Sequence, residues 1–394
     1  MASTTACTLL ESSEQAGYVE NRSTIRGQIE TQATQGPTYA VLYEQTRDGY
    51  ELTGRYAISD SGRYVFHVLP GRYVLGAFSD SNDDGHYQAS EPAAYVSDEK
   101  SRPKTLHVEP GKPHQISTLT VSDPIAVDGP EQAPIDIRGA DLNLGRRVAL
   151  DDPLFDRANA RLGFWRPLDH IERRLGGLVR LEEFSPDKTP VLFVHGIEGT
   201  ARDFQSVITA LDHERFQPWV LQYASGLPLD PVSDYLRQAL TELQARYGFQ
   251  EVIIVAHSMG GLITRDLVLD HAAAPARFRI PLVVTINSPL MGLDSAATGV
   301  EYSPLVIPAW RDLVPASEFV ANLHQRDWPA ATRYHLFFSF LPDEPGDGVV
   351  PLSSQLSLEL QDEADRVLGF RAQHSALLHD PRLVERLHRL LMTQ

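Results

Sequence analysis

Three residue types that together carry out nucleophilic acyl chemistry occur in the second half of this 394-residue chain, in the order Ser258, Asp347, His374. Ser258 lies in Ala256-His257-Ser258-Met259-Gly260-Gly261. The β-favouring run Val252-Ile253-Ile254-Val255 precedes it, and a segment that reads as helix follows through Leu269. Strand, sharp turn and helix form the context of the nucleophile elbow G-x-S-x-G, here with Ala256 at the first glycine position. The turn lifts the serine hydroxyl clear of the sheet. Strand and helix approach closely there, so the positions two before and two after the serine must be small, as Ala256 and Gly260 are. The start of the helix favours negative charge, which places the Met259 N–H as one donor to an oxyanion.

A serine hydroxyl needs a base, and the base needs an orienting acid. Gln373-His374-Ser375 sits between a short expected strand over residues 366–370 and the last helix. His374 would take the proton from Ser258 and return it to the leaving alcohol, with His379 as the alternative. Asp347, on the Gly-flanked turn Gly346-Asp347-Gly348-Val349-Val350-Pro351, would hold the imidazole; Asp343 and Glu344 compete with it. The order Ser, Asp, His is that of the hydrolases that carry this elbow. The second oxyanion donor is assigned to the Ile197 N–H in His195-Gly196-Ile197-Glu198-Gly199, where Gly196 lets the backbone approach a substrate.

The elements that must position these groups alternate from about residue 152 onward. Strands are expected over 178–184, 191–194, 219–223, 252–255, 282–286, 334–340 and 366–370. Helices are expected around 203–212, 234–246 and after the elbow. A final helix is capped by Asp380-Pro381, with Leu383, Leu387, Leu390 and Leu391 on one face. This alternation predicts an α/β unit with a mostly parallel sheet flanked by helices.

From about Gly163 to the C-terminus the chain resembles an α/β-hydrolase of the bacterial lipase and esterase branch. That branch includes relatives of the enzymes that deacylate the inositol of glycosylphosphatidylinositol anchors. The matching segments are Val191-Leu192-Phe193-Val194-His195-Gly196-Ile197-Glu198-Gly199, the elbow, Asp347-Gly348-Val349-Val350-Pro351-Leu352-Ser353-Ser354 and His374 before the terminal helix. The resemblance implies a serine hydrolase that cleaves acyl esters through an acyl-enzyme, with an acyl ester or lipid as substrate and no required cofactor. Acyl transfer to an alcohol, or thioester or amide hydrolysis, would use the same triad. A different alternative is a catalytically inert envelope scaffold or adhesion protein. Residues 287–328 are the place to seek specificity. Leu290, Met291 and Trp310 there could line an acyl site or cap, or simply pack an insertion onto the core.

Residues 22–122 read differently. Short runs over 25–30, 39–44, 50–56, 63–69, 72–78, 105–108 and 115–121 alternate with Gly, Asp, Ser and Pro, and a Pro70-Gly71 turn joins two of them. A small all-β sandwich is expected, resembling bacterial immunoglobulin-like or transthyretin-like modules. Within it, Asp80, Asn82, Asp84 and Glu91 fit the calcium-loop pattern around Gly85. Their flanks read as strands, so a solvated acidic turn is the alternative to a structural calcium site. Residues 1–21 read as a flexible tether and the Pro-bearing stretch 123–151 as a linker or arm, leaving 152–394 as the catalytic domain.

With 35 Lys and Arg against 52 Asp and Glu, the net charge of −17 argues against nucleic acid as a partner. Cys7 is the only cysteine, so no disulfide forms within the chain. Its setting, Thr5-Ala6-Cys7-Thr8-Leu9-Leu10 followed by a polar stretch, resembles that of an acylated lipoprotein cysteine, although no apolar signal region precedes it here. That resemblance implies a membrane tether through Cys7 and a bacterial cell-envelope location. Cytoplasmic or secreted locations stand as alternatives.

Overall fold

A run such as Val191-Leu192-Phe193-Val194 has no polar face, so a strand built from it must be covered on both sides. The computed structural model describes residues 2–32, 36–59, 61–124, 143–273 and 277–393, with side chains from residue 11 onward. It divides the chain into two units, one holding residues 1–16, 143–273 and 277–394 and the other residues 17–142 and 274–276.

In the smaller unit the strands are β1 Ser23–Thr31, β2 Thr38–Gln45, β3 Tyr50–Ala57, β4 Arg63–Val68, β5 Gly71–Ser79, β6 Ala93–Tyr95, β7 Leu106–Val108, β8 His114–Gln115 and β9 Leu119–Val121. They form two sheets, the first antiparallel between β1 and β4 but parallel between β1 and both β8 and β9, the second antiparallel throughout. One runs β4-β1-β8 with β9 also on β1; the other runs β3-β2-β5-β6 with β7 on β5. Ile25 and Ile29 of β1, Leu42 of β2, Phe66 of β4 and Leu75 of β5 share one apolar cluster, so both sheets contribute to a common core. The expected strand over 115–121 is two short strands separated by a break.

The larger unit carries β10 Gly177–Arg180, β11 Thr189–Val194, β12 Phe216–Gln222, β13 Ile253–His257, β14 Leu282–Ile286, β15 Arg333–Phe340 and β16 Arg366–Arg371. They form a seven-stranded sheet in the order β10-β12-β11-β13-β14-β15-β16. Every neighbour pair is parallel except β10 with β12. Because side chains alternate along a strand, Leu192, Val194, Ile254 and Ala256 join the core on one face, while Val191, Phe193, Ile253 and Val255 join the core on the other. The terminal helix Pro381–Leu391 docks on the second core through Leu383, Leu387 and Leu391. Burying each leucine contributes roughly 2 kcal/mol. As expected, Asp380 caps this helix, accepting from the Arg382 N–H at 2.8 Å.

The N-terminal segment is a correction to the expected flexible tether: residues Ala2–Glu20 form a helix. Ala16 enters the first core, Glu11 pairs with Arg166, and Gln15 bonds Asp169 and the Leu168 N–H. The side chain of Cys7 lies outside the described residues. Of the stretch read as linker, residues 125–142, with Pro130 and Pro134, also lie outside them. Its later part belongs to the larger unit: the N–H groups of Gly145 and Val148 donate to Leu178 and Arg180 carbonyls at 2.7 and 2.9 Å, covering the free edge of β10. Among the described residues no helix is long and apolar enough to cross a membrane.

Candidate active site

In a parallel sheet the chain leaves every strand at the same edge, and ligand sites gather there. The segments that follow β11, β13, β14, β15 and β16 hold Gly196-Ile197, Ser258, Asn287, Asp347 and His374 respectively. Residues up to 178 positions apart in sequence are thereby brought to one edge.

Ser258 has φ +55°, in the left-handed region that a non-glycine residue seldom occupies. Its N–H donates to the Ile286 carbonyl at 2.9 Å, tying the turn to the end of β14. A Cβ on Gly260 would collide with the Val194 carbonyl oxygen, and one on Gly261 with the Ser288 hydroxyl. These are the close strand–helix approaches that the sequence motif requires. Ala256, buried in β13, shows that its own position tolerates a methyl group.

Asp347 is 1% exposed, whereas Asp343 and Glu344 face solvent. Gly348, at φ +91°, and Gly346, whose Cα abuts the Val350 carbonyl, make the tight turn around it. Its Oδ1 accepts from the N–H groups of Val349 and Val350 at 2.9 and 2.7 Å. Its Oδ2 lies 2.7 Å from Nδ1 of His374, and its backbone oxygen accepts the His374 N–H at 3.0 Å. The carboxylate is thus satisfied by donors throughout, and Nδ1 carries the proton, leaving Nε2 as the free acceptor. His379, the alternative, is exposed and bonds the Ser206 hydroxyl at 2.9 Å.

The loop after β11 is pinned from several sides. Tyr223 Oη donates to the His195 carbonyl at 2.7 Å and its ring stacks on the His195 imidazole at 4.4 Å. The Glu198 N–H donates to Ser225 Oγ at 3.0 Å, and Arg157 donates to the Glu198 carbonyl at 3.0 Å. Trp165 Nε1 donates to the Glu198 carboxylate at 3.0 Å. Glu198 itself has φ +49°, a second strained residue beside the site. Among the described residues neither the Ile197 nor the Met259 N–H has a protein acceptor. Those are the two groups assigned to an oxyanion.

Burial pushes the His195 imidazole down to about 4. Burial, and then the neighbouring His374, hold His257 well below its ordinary value. Both rings are therefore neutral near neutral pH. The His257 ring lies 4.7 Å from that of His374, and its Nε2 donates to the His374 carbonyl at 3.3 Å.

The remaining expected residues are placed as follows. Leu290 is 1% exposed and packs in the core, so it supports the insertion over 287–328 rather than lining an open site. Met291 and Trp310 are half-buried against the same core, and Trp310 meets Phe164 at 6.2 Å. In the smaller unit the Asp80 carboxylate accepts from the Asp84 and Gly85 N–H groups at 3.1 and 2.8 Å. Glu91 accepts from Ser81 and Gln88 at 2.7 and 2.9 Å. Asn82 turns its amide N–H₂ toward Asp84 at 2.9 Å. Their oxygens close the loop on itself. Among the described residues no group of three or more His, Cys, Asp or Glu is placed to hold a metal ion.

Sequence reading did not single out Asn287, Tyr223 or Ser225. The available signal was a polar residue just past the end of a buried strand, at the edge where sites form.

The family model described as Alpha/beta hydrolase family matches residues 191–392. No curated protein matches the chain by sequence. Among solved structures, the lin2722 gene product of Listeria innocua is 20% identical at a TM-score of 0.42, over 52% of this chain and 94% of its own. A monoacylglycerol lipase from Paleococcus ferrophilus is 16% identical at 0.40, over 55% and 97%. Est1E from Butyrivibrio proteoclasticus is 13% identical at 0.40, over 55% and 92%.

Proposed function

Because this chain belongs to the Alpha/beta hydrolase family, we propose that it is a serine carboxylester hydrolase. Ser258 attacks the ester carbonyl while Nε2 of His374 takes its proton. The Ile197 and Met259 N–H groups receive the negative charge that develops on the carbonyl oxygen. His374 then protonates the departing alcohol, leaving an acyl group on Ser258. Water, deprotonated by the same imidazole, releases the acid and restores the hydroxyl.

The observation that carries this reading is the buried pair His374 Nδ1 and Asp347 Oδ2 at 2.7 Å, with a strained Ser258 at the same sheet edge. A carboxylate-held imidazole at the same sheet edge as an elbow serine is the arrangement that acyl transfer uses.

The test is hydrolysis of p-nitrophenyl esters of increasing acyl length by wild type and Ser258→Ala. Wild type turns over, and the substitution removes on the order of 10⁴–10⁶-fold of the rate. A fluorophosphonate labels Ser258 in wild type only. Equal activity in Ser258→Ala would sink the assignment. The acyl-length profile separates esterase from lipase.

A further inference from the structure

Where β14 ends, the backbone passes through Asn287 at φ +50°, and this residue is fully buried. Such a conformation costs energy for any residue with a Cβ, and glycine would occupy it more cheaply. The asparagine side chain must therefore supply something. Its Nδ2 donates at 2.8 Å to the backbone carbonyl of His374. Its N–H donates to the Phe337 carbonyl at 2.9 Å, which anchors the turn to β15.

The His374 carbonyl takes a second, longer bond from His257 Nε2 at 3.3 Å. Two adjacent strands, β13 and β14, thus each send one donor to the same oxygen. On the other side of the residue, the His374 N–H and Nδ1 are both held by Asp347. His374 lies between β16 and the short turn Ala376–His379, outside the sheet's own hydrogen-bond ladder. Its main chain is fixed by one backbone bond, from its N–H to the Asp347 carbonyl, and by these two side-chain bonds to its carbonyl.

We propose that Asn287 is a positioning residue for the general base. Its amide fixes the main chain of His374 relative to the elbow, and so fixes the approach of Nε2 to the Ser258 hydroxyl. The proposal rests on the triad reading above. Asp347 sets the tautomer and the ring plane, and Asn287 sets where the ring is hung. Proton transfer is steep in distance, so a loosened carbonyl lowers the chemical step while leaving ester binding alone.

The experiment compares wild type, Ser258→Ala, Asn287→Gly, His374→Ala and the double variant Asn287→Gly/His374→Ala on one p-nitrophenyl ester. Glycine keeps the left-handed backbone and removes only the amide. Asn287→Gly lowers kcat by about 10–100-fold while KM stays within about twofold, and fluorophosphonate labelling of Ser258 slows in parallel. In the His374→Ala background the same change costs nothing further, because Asn287 acts through that imidazole. Asn287→Asp keeps the volume but sets an acceptor against the His374 carbonyl, so at alkaline pH it reproduces the kcat loss even if the glycine variant folds poorly. Full kcat in both Asn287 variants, or an equal loss with and without the His374 imidazole, overturns the positioning role while the triad stands. Activity retained in Ser258→Ala overturns the triad reading and this proposal together.

Discussion

Gly196 faces Ser258 so closely that a Cβ added to it would lie 2.7 Å from the serine Cβ and 3.1 Å from its Oγ. The second residue after β11 and the first after β13 are thus packed backbone to side chain, and the β11–β13 register holds them there, with Val194 opposite Ala256. Gly196→Ala must push the loop, the serine or both apart. The expected result is a kcat/KM loss of about 10²-fold or more, the scale for a displaced reacting group or a lost oxyanion donor. The melting temperature should move little by comparison. Steady-state kinetics and calorimetry check this, and wild-type kinetics in Gly196→Ala would remove the loop from the site.

Arg265 is 1% exposed and forks onto Glu363, with N···O distances of 2.7 and 2.8 Å. It also donates to the Leu323 carbonyl at 3.3 Å and lies over the Trp328 ring. Glu363→Gln leaves this guanidinium buried without a counter-charge, which costs roughly 3–5 kcal/mol. Replacing both partners, as in Arg265→Met/Glu363→Leu, should cost less than the single change. All four tryptophans, Trp165, Trp219, Trp310 and Trp328, lie in the larger unit, so urea unfolding followed by tryptophan fluorescence reads this effect selectively. A double variant weaker than Glu363→Gln would contradict the argument.

Asp80 holds the β5–β6 loop by two backbone N–H bonds while itself fully buried. Asp80→Ala leaves the Gly85 N–H unpaired and the Asp84 N–H with Asn82 Oδ1 alone, and should destabilise the smaller unit by roughly 1–3 kcal/mol. Backbone donors already order the Asp80 and Glu91 carboxylates, so the loop closes without a calcium ion. Calorimetric melting of this unit is therefore expected to be the same in calcium and in a chelator. A calcium-dependent rise in its transition would restore the metal reading of the loop.

The sequence carried the sheet and the elbow well because their constraints are local. A β-branched apolar run such as residues 252–255, bounded by a turn, reads as a covered strand, and a small-x-Ser-x-Gly after it has few geometries open to it. Asp347 was legible through its flanking glycines, and the structure explains why Asp343 and Glu344 are different: they face water. The helix Ala2–Glu20 was illegible because its partners, Arg166 and Asp169, lie some 150 residues away. Asn287 was illegible for the same reason: its amide meets a carbonyl 87 residues further on. The acidic loop is a pattern that spacing alone does not decide. Asp80, Asn82, Asp84 and Glu91 match a metal pattern by spacing, but backbone donors answer the same oxygens.

The final prediction concerns pH. Burial pushes His170 and His195 down to about 4, the proximity of His195 adding to the effect at His170. In the unfolded chain both titrate near their ordinary value of about 6.5. Above that value neither state binds the proton and the histidines contribute nothing to the pH dependence. Between about 6.5 and 4 the unfolded chain binds protons that the native state refuses, so stability falls as pH falls. At pH 5 the loss is roughly 2 kcal/mol per histidine. Asp266 works the other way. Burial, then Asp270, raise it to about 6, so its native form takes up a proton before the unfolded form does, offsetting roughly 1 kcal/mol at that pH. The histidines prevail, and urea midpoints by tryptophan fluorescence should drop between pH 7 and pH 5. In His170→Gln the drop should shrink by about the share of one histidine. An unchanged slope in that variant would mean that His170 is protonated in the native state, against the burial of its ring and the lack of a partner for its Nε2 among the described residues.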